Sequence, residues 1–263
     1  MRFLIAKAAR VTGELLEHAV REALMEQHIP EPECVVCYGA GYTGPLPALN
    51  AKCSGAGKME QGLALRHGLE EEALDIFPLQ YAPVWAPAVY PLPVVDRRVK
   101  HTKGRDIRLC RTEKGVRAML AKGKHDFVTP VVESDTEYRA WVYRNRVLCV
   151  YEKRLTEPEK NTKFGRNRDN GWTFHALNSE HIPESVRRVA ITAVRCLDLD
   201  FGAVDILGKW EDDEHTDVKA TVLEVNSAPG VSDEHRTAFV KLTTRIVKWI
   251  RAGCPERTVP TAV

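Results

Sequence analysis

No stretch of this 263-residue chain is long and apolar enough to cross a bilayer. The opening Met1-Arg-Phe-Leu-Ile-Ala-Lys7 meets charge again at once, which fits a first strand better than a secretory leader. Neither sign of charge is in excess. Lys and Arg number 38 against 36 Asp and Glu, a net of +2, so the chain as a whole is not a polycation. No internal repeat or low-complexity tract stands out, which argues against a solenoid or a tail. The seven cysteines are odd in number and scattered. Cys34-Val-Val-Cys37 has the CxxC spacing, but no second cysteine or histidine pair follows at zinc spacing, and the segment reads as a buried strand. Free thiols in a reducing cytoplasm are the expectation. A P-loop is lacking too. No GK[ST] follows the Gly39–Pro45 loop, and Met59 stands where Ser54-Gly-Ala-Gly-Lys58 would need a hydroxyl.

What is present is an ordinary soluble composition, 44% hydrophobic and 28% charged. Residues 2–6 read as a strand. Residues 11–28 read as a helix whose stripe is Leu15, Leu16, Ala19, Val20, Ala23 and Leu24, with Thr12 as N-cap. Cys34–Tyr38 reads as a second strand, and strand–helix–strand order suggests a small α/β unit. Lys58–Arg66 is expected to be helical and to end near Gly68. The Pro- and aromatic-rich stretch 77–93 is the expected boundary. Beyond it come a hairpin (93–99 and 105–111), a helix (113–122), a strand (126–132), a second hairpin turning at Arg144-Asn145-Arg146, a helix (184–197) and a final amphipathic helix (234–251).

Three C-terminal stretches carry the chemistry: Phe201-Gly-Ala-Val-Asp205-Ile-Leu207, Thr221-Val-Leu-Glu224-Val-Asn226 and Ser227-Ala-Pro-Gly230. The first two read as buried apolar strands with polar groups inside them. Acids rarely sit there unless paired or metal-bound. Residues two apart share a strand face, so Glu224 and Asn226 present a carboxylate and an amide oxygen side by side. Asp205 would join them from a neighbouring strand. That hard-oxygen set suits Mg²⁺ held partly by substrate phosphates. The competing reading is a sheet whose polar residues lie at a solvent edge.

Val204-Asp205-Ile206, Glu224-Val225-Asn226 and Ala228-Pro229-Gly230 together resemble the ATP-grasp superfamily of carboxylate–amine ligases, nearest the ribosomal-protein glutamate ligase-like branch. The resemblance extends with decreasing strength over about 90–250. It implies an α+β fold in which two lobes grip ATP, with an N-terminal α/β domain over 1–85 and an ATP-grasp domain over 86–263. Within the latter, 86–135 would be the central lobe and 136–263 the C-terminal lobe. It implies an ADP-forming ligase joining a carboxylate to an amine through an acyl phosphate, with ATP and Mg²⁺, the metal on Asp205, Glu224 and Asn226.

The same resemblance implies roles for further residues. Arg98 lies near the place of a phosphate-holding cation, and Lys103, Gly104 and Arg105 fall in the candidate lid. Phe127-Val-Thr-Pro-Val-Val-Glu133 resembles the adenine hinge strand, with Thr129, Val131 and Glu133 as contacts, although Pro130 stands where an acid is often found. Glu137-Tyr-Arg139 resembles the acidic-x-Arg motif, with Arg139 clamping the transferred phosphoryl group. Lys153 loosely matches the second nucleotide lysine. Arg166, Asn167 and Arg168 lie in an Arg/Asn-rich loop that would touch the phosphates or the acceptor.

The basic run between Arg97 and Arg108 can also be read as a charged edge strand or as a nucleic-acid contact surface. Two alternatives to the ligase therefore stand: a non-catalytic nucleic-acid-binding module, and a nucleotide-binding ATP-grasp protein without turnover. The expected partners are small-molecule, amino-acid or peptide substrates, with no membrane. A homodimer would match related ligases, though no dimer-forming segment is evident. The acidic stretch Trp210–Asp217 is longer than the branch usually carries.

Overall fold

The computed structural model describes residues 1–30, 32–52, 58–71, 82–83, 92–97, 108–120, 127–161 and 165–256. Three sheets follow one another along the chain. The first is parallel, in the order β1 (Arg2–Ile5), β2 (Val35–Tyr38), β3 (Ala48–Leu49), with α1 (Arg10–Glu26) crossing from β1 to β2. In α1, Leu16, Val20 and Leu24 recur every fourth residue and are buried, the stripe a helix needs to cover a sheet. Leu15 lies outside that stripe and is exposed. The expected Thr12 cap is corrected. The helix begins at Arg10, a turn earlier, so Thr12 already lies inside it.

The second sheet, ordered β4 (Ala82–Pro83), β7 (Phe127–Pro130), β5 (Val94–Arg97), β6 (Arg108–Cys110), is antiparallel. The helix α3 (Glu113–Leu120) follows β6. The β5–β6 pairing is the expected hairpin, with Val94 opposite Cys110. Arg98, Lys103, Gly104 and Arg105 lie outside the described residues, as does the expected boundary at 85/86.

The third sheet positions the site. It is antiparallel, ordered β10 (Trp172–Ala176), β9 (Arg146–Leu155), β8 (Thr136–Tyr143), β11 (Phe201–Trp210), β12 (Val218–Asn226). On one face pack α4 (Glu184–Cys196) and α2 (Lys58–Glu71). Val186, Val189, Ala190, Ala193 and Val194 of α4 are fully buried against Tyr138, Ala140, Val204 and Ile206. The helix α2 runs past Gly68 instead of ending there. A side chain at Gly68 would bring its Cβ within 2.5 Å of Cys196 Sγ, so this glycine permits helix contact and is not a stop. On the other face, α5 (Arg236–Arg251) shares a core with α1 and β2. Leu242, Ile246 and Trp249 meet Leu16, Val20, Tyr38, Trp141 and Phe201 there. Burying some twenty apolar side chains in one cluster, at about 1.5–3 kcal/mol each, ties the N-terminal elements to the C-terminal sheet.

Two polar ties reinforce that union. Asn50, in the left-handed region at φ 55, donates its backbone N–H to Asp200 and its side-chain amide to the Phe201 carbonyl. Its side-chain oxygen accepts from the N–H groups of Asp200 and Phe201. Asparagine tolerates that backbone region better than most residues. Tyr38, at the end of β2, donates its hydroxyl to the carbonyl of Pro229, in the turn after β12. Among the described residues no helix is long and apolar enough to cross a membrane.

Candidate active site

The cross-strand register builds a row of charges on the α5 face of the third sheet. Arg139 lies between Tyr151 and Asp205, and Asp205 lies opposite Glu224. The acid-x-Arg motif puts Glu137 on the face of Arg139, two residues along β8. The register continues to Phe174, opposite Lys153 on β10. At Asp205 a bulge leaves Leu223 as the extra residue of β12. It lets Val222 and Val225 both serve the α4-side core while Glu224 and Asn226 stay in the row.

Within the row the charges are paired. Arg139 grips Asp205 bidentately, Nε to Oδ1 at 2.7 Å and Nη2 to Oδ2 at 2.8 Å. Lys153 Nζ donates to Glu137 Oε1. Both pairs are largely shielded from solvent, with side-chain exposures of 19% and 7% for Arg139 and Asp205, and 11% and 9% for Lys153 and Glu137. Asn226 Nδ2 sits between the two acids, 3.4 Å from Asp205 Oδ2 and 3.3 Å from Glu224 Oε1. Beneath the cations lies an aromatic floor. Arg139 Cζ is 4.9 Å and Lys153 Nζ 5.3 Å from the Phe174 ring centre. His235 packs under Phe174 at 4.6 Å and edge-on to Tyr151 at 4.9 Å.

The electrostatics follow from burial and pairing. Burial raises Glu137 above its usual range, against the pull of Lys153. Burial alone would lower Arg139, but the Asp205 carboxylate beside it more than reverses that, so the guanidinium stays charged. Burial, with Arg139 next, pushes His235 down to about 4, so it is neutral near pH 7.

The expected site residues separate into groups. Asp205, Glu224, Asn226, Arg139 and Lys153 are gathered in the row. Of Lys153 and Arg154, on opposite faces of β9, Lys153 is the one in the row, and Arg154 pairs with Glu152 outside it. Arg166 stands close by. It donates to the Ser134 carbonyl at 2.7 Å, lies over Trp172 and acts electrostatically on Glu137. Asn167 caps a short 3₁₀ turn, its side-chain oxygen accepting from Asn170 N. That turn closes at Gly171, where a side chain would strike the Glu157 carbonyl. Arg168 is exposed. On the hinge side, Thr129 is buried in β7, Val131 is half-buried, and the exposed Glu133 pairs with Lys209 of β11 at 2.5 Å.

Sequence reasoning saw Glu137 in the acidic-x-Arg motif but gave it no role, and it missed Phe174 and His235. The same-face spacing of Glu137 and Arg139 could have placed the acid in the row. Phe174 and His235 reach the row only through strand register and chain reversal, which leave no local signal.

The donor set fits a magnesium ion. Two carboxylates and an amide converge, and Asn226 already bridges the acids. Its oxygen reaches the same point if the amide turns over about its last side-chain bond. With each group binding through one oxygen, three ligands fall short of an octahedron, which leaves the remaining positions to substrate oxygens and water.

The RimK-like ATP-grasp domain family matches residues 84–250. A probable alpha-L-glutamate ligase of Enterobacter sp. (strain 638) is 26% identical over 164 residues, 60% of this chain and 50% of that protein. A ribosomal protein bS6–L-glutamate ligase of Escherichia fergusonii is 26% identical over 171 residues, 62% of this chain and 52% of that one. The chain thus spans about half the length of these curated relatives. Among solved structures, the ATP-grasp ligase PsnB complexed with a minimal precursor superposes with a TM-score of 0.62 at 12% identity, over 95% of this chain and 98% of that one. The D-alanine–D-alanine ligase of Bacillus anthracis does so with a TM-score of 0.58 at 11% identity, over 96% and 98%. At such identities the likeness is one of fold, and the fold is that of ATP-grasp ligases over nearly the whole chain. With the family matched across more than half its length, this chain belongs to the RimK-like ATP-grasp family.

Proposed function

We propose that the charged row is the working centre of an ADP-forming ligase that joins a carboxylate to an amine. The observation that carries this reading is the convergence of Asp205, Glu224 and Asn226 beside the bidentate Arg139–Asp205 pair. ATP-dependent carboxylate–amine ligation is the general activity of the family. The neighbour PsnB has been seen with Mg, ADP and a phosphomimetic variant of its minimal precursor, and it superposes with a TM-score of 0.64. An amino acid or peptide is accordingly the proposed substrate class.

In the proposed reaction the substrate carboxylate attacks the γ-phosphorus of ATP, and ADP leaves. The amine then attacks the acyl carbon, phosphate departs, and the amine loses a proton. Neither step needs a covalent bond to the protein. Positioning and charge neutralisation do the work. Magnesium, when bound at Asp205, Glu224 and Asn226, supplies positive charge to the phosphate oxygens. Arg139 has five N–H groups, of which Asp205 engages those of Nε and Nη2, and its remaining donors suit an oxyanion on the transferred group. Phe174 and Asp205 hold that guanidinium in one orientation before substrate arrives. Arg166 is anchored at Ser134, where it can meet substrate phosphate or the acceptor carboxylate. Arg98, Lys103, Gly104 and Arg105 are proposed to hold and cover the phosphates, and Thr129, Val131 and Glu133 to flank the adenine. Glu133 would then have to leave Lys209.

The test is a thermal melt with a non-hydrolysable ATP analogue, with and without Mg²⁺, followed by a screen of amino acids and peptides for ADP release. Expected are a Mg²⁺-dependent rise that Asp205→Asn loses, and ADP release that needs both an amine and a carboxylate. A well-folded wild type with no rise would overturn the proposal. A rise without ADP release from any substrate pair would favour a nucleotide-binding protein that lacks turnover.

A further inference from the structure

A second concave site lies away from the row. A cavity of about 690 Å³ opens between the β8–β9 turn and the outer side of α4. Among the described residues, Arg146, Arg187, Arg188, Arg195 and Arg245 line it, with Glu184 as the single acid. The chain as a whole carries a net charge of only +2, so this is a marked local concentration of positive charge. Helical spacing explains three of the arginines. Positions 187, 188 and 195 share the side of α4 turned away from the buried stripe. The β8–β9 turn brings Arg146, and α5 contributes Arg245. Arg187 is partly engaged, by the Ser179 carbonyl and by Glu184 at 3.9 Å, but that acid is 78% exposed and neutralises little. Guanidinium groups gathered on one concave face raise the local positive potential and favour an anion beside them.

The lining also says what kind of anion. Among the described residues no aromatic side chain lines the cavity, so none of them would stack a base, the usual platform of single-stranded nucleic-acid and nucleotide sites. Its size suits a small ligand. Guanidinium groups pair with tetrahedral oxyanions through forked N–H donors. We infer that this cavity binds a compact, ring-free polyanion bearing two or more phosphate groups, at a site separate from the proposed ligation centre. This inference does not depend on the ligase reading.

The test is calorimetric titration of the full chain with inorganic tripolyphosphate, in EDTA so that metal-dependent binding at the row is silent. Arg146 and Arg188 are both exposed, so their replacement should leave the fold intact. Wild type is expected to bind one tripolyphosphate, and the double variant Arg146→Glu, Arg188→Glu to bind at least about tenfold more weakly, a loss in line with removing two charge-assisted contacts. A control, Arg10→Glu with Arg117→Glu, makes the same change in net charge at exposed sites elsewhere and should bind as wild type does. No binding by wild type at millimolar ligand, equal binding by the cavity variant, or equal loss in the control would each overturn the inference. Citrate binding as tightly as tripolyphosphate would overturn the phosphate assignment, and tighter binding of a single-stranded oligonucleotide would overturn the exclusion of nucleic acid.

Discussion

Asp205 holds Arg139 and is also proposed to hold a metal, and the two roles make different demands on a replacement. Asparagine keeps the shape but removes the charge that faces a buried guanidinium. Breaking such a pair costs about 3–5 kcal/mol when one ion is left uncompensated. Asp205→Asn, whose amide oxygen can still accept one bond, should fall at or below the lower end of that range. ATP turnover should drop at least ~100-fold, the scale on which removing a preorganised electrostatic contact acts. Urea titration and an ADP assay on the same preparation separate the two losses. Unchanged turnover would remove Asp205 from the proposed mechanism. His235 makes a prediction about pH. Its pKa is depressed to about 4, chiefly by burial, with Arg139 and Lys153 pushing the same way and Glu234 and Asp205 opposing. The unfolded chain takes up that proton first, near 6.5. The contribution is therefore whole above about 6.5 and is lost as pH falls towards about 4, at most about 3 kcal/mol in all. His235→Phe should fill the same aromatic nest and flatten the decline of the urea midpoint between pH 6.5 and 4.5. An equally steep decline in the variant would mean that other groups govern it.

At the scale of elements, β12 is an edge strand of its sheet, and Gln61 of α2 pairs with that edge. Gln61 donates its amide to the Val225 carbonyl at 2.7 Å and accepts from Val225 N at 2.9 Å, as a neighbouring strand would. Val225 lies between Glu224 and Asn226. Gln61→Ala should cost about 1–3 kcal/mol by orphaning both backbone groups. It should also weaken the Mg²⁺-dependent stabilisation by the ATP analogue, because the strand that carries two of the proposed oxygen ligands loses its outer support. A melt that shifts with no change in the Mg²⁺-dependent increment would limit Gln61 to stability. This contact also marks the reach of sequence reasoning. Acids inside apolar strands made Asp205, Glu224 and Asn226 legible, and alternation made the β8–β9 hairpin legible. The partner of Arg139 was not, because Asp205 lies 66 residues away and only strand register joins them. Nor was the bulge at Leu223, since Val222-Leu-Glu-Val-Asn226 alternates acceptably without one. Gly68 misled because a glycine near a helix end reads as a stop, while here it admits Cys196 of another helix.

For the molecule as a whole, the two sides of the third sheet differ in what they join. One side is covered by α4 and α2, the other by a core that α1, β1 and β2 share with α5. The first and third sheets should therefore open together. Amide exchange is expected to give β2 and β8 similar opening free energies, and Asn50→Ala should lower both in step by about 3 kcal/mol through the three lost side-chain hydrogen bonds. Loss of protection in β2 alone would show the N-terminal sheet to be an autonomous unit.

The bond from Tyr38 to the Pro229 carbonyl bears on how such chains can be recombined. Exchange of parts between relatives works best across junctions that few contacts cross. Here the first fifty residues are bound to the turn that follows Asn226, so an N-terminal piece taken from another member of the family would arrive without its matching seat. A working chimera would have to bring the Ser227–Gly230 turn and the inward side of α5 with it. New specificity in this lineage is therefore more accessible through changes within loops than through exchange of the N-terminal unit as a cassette.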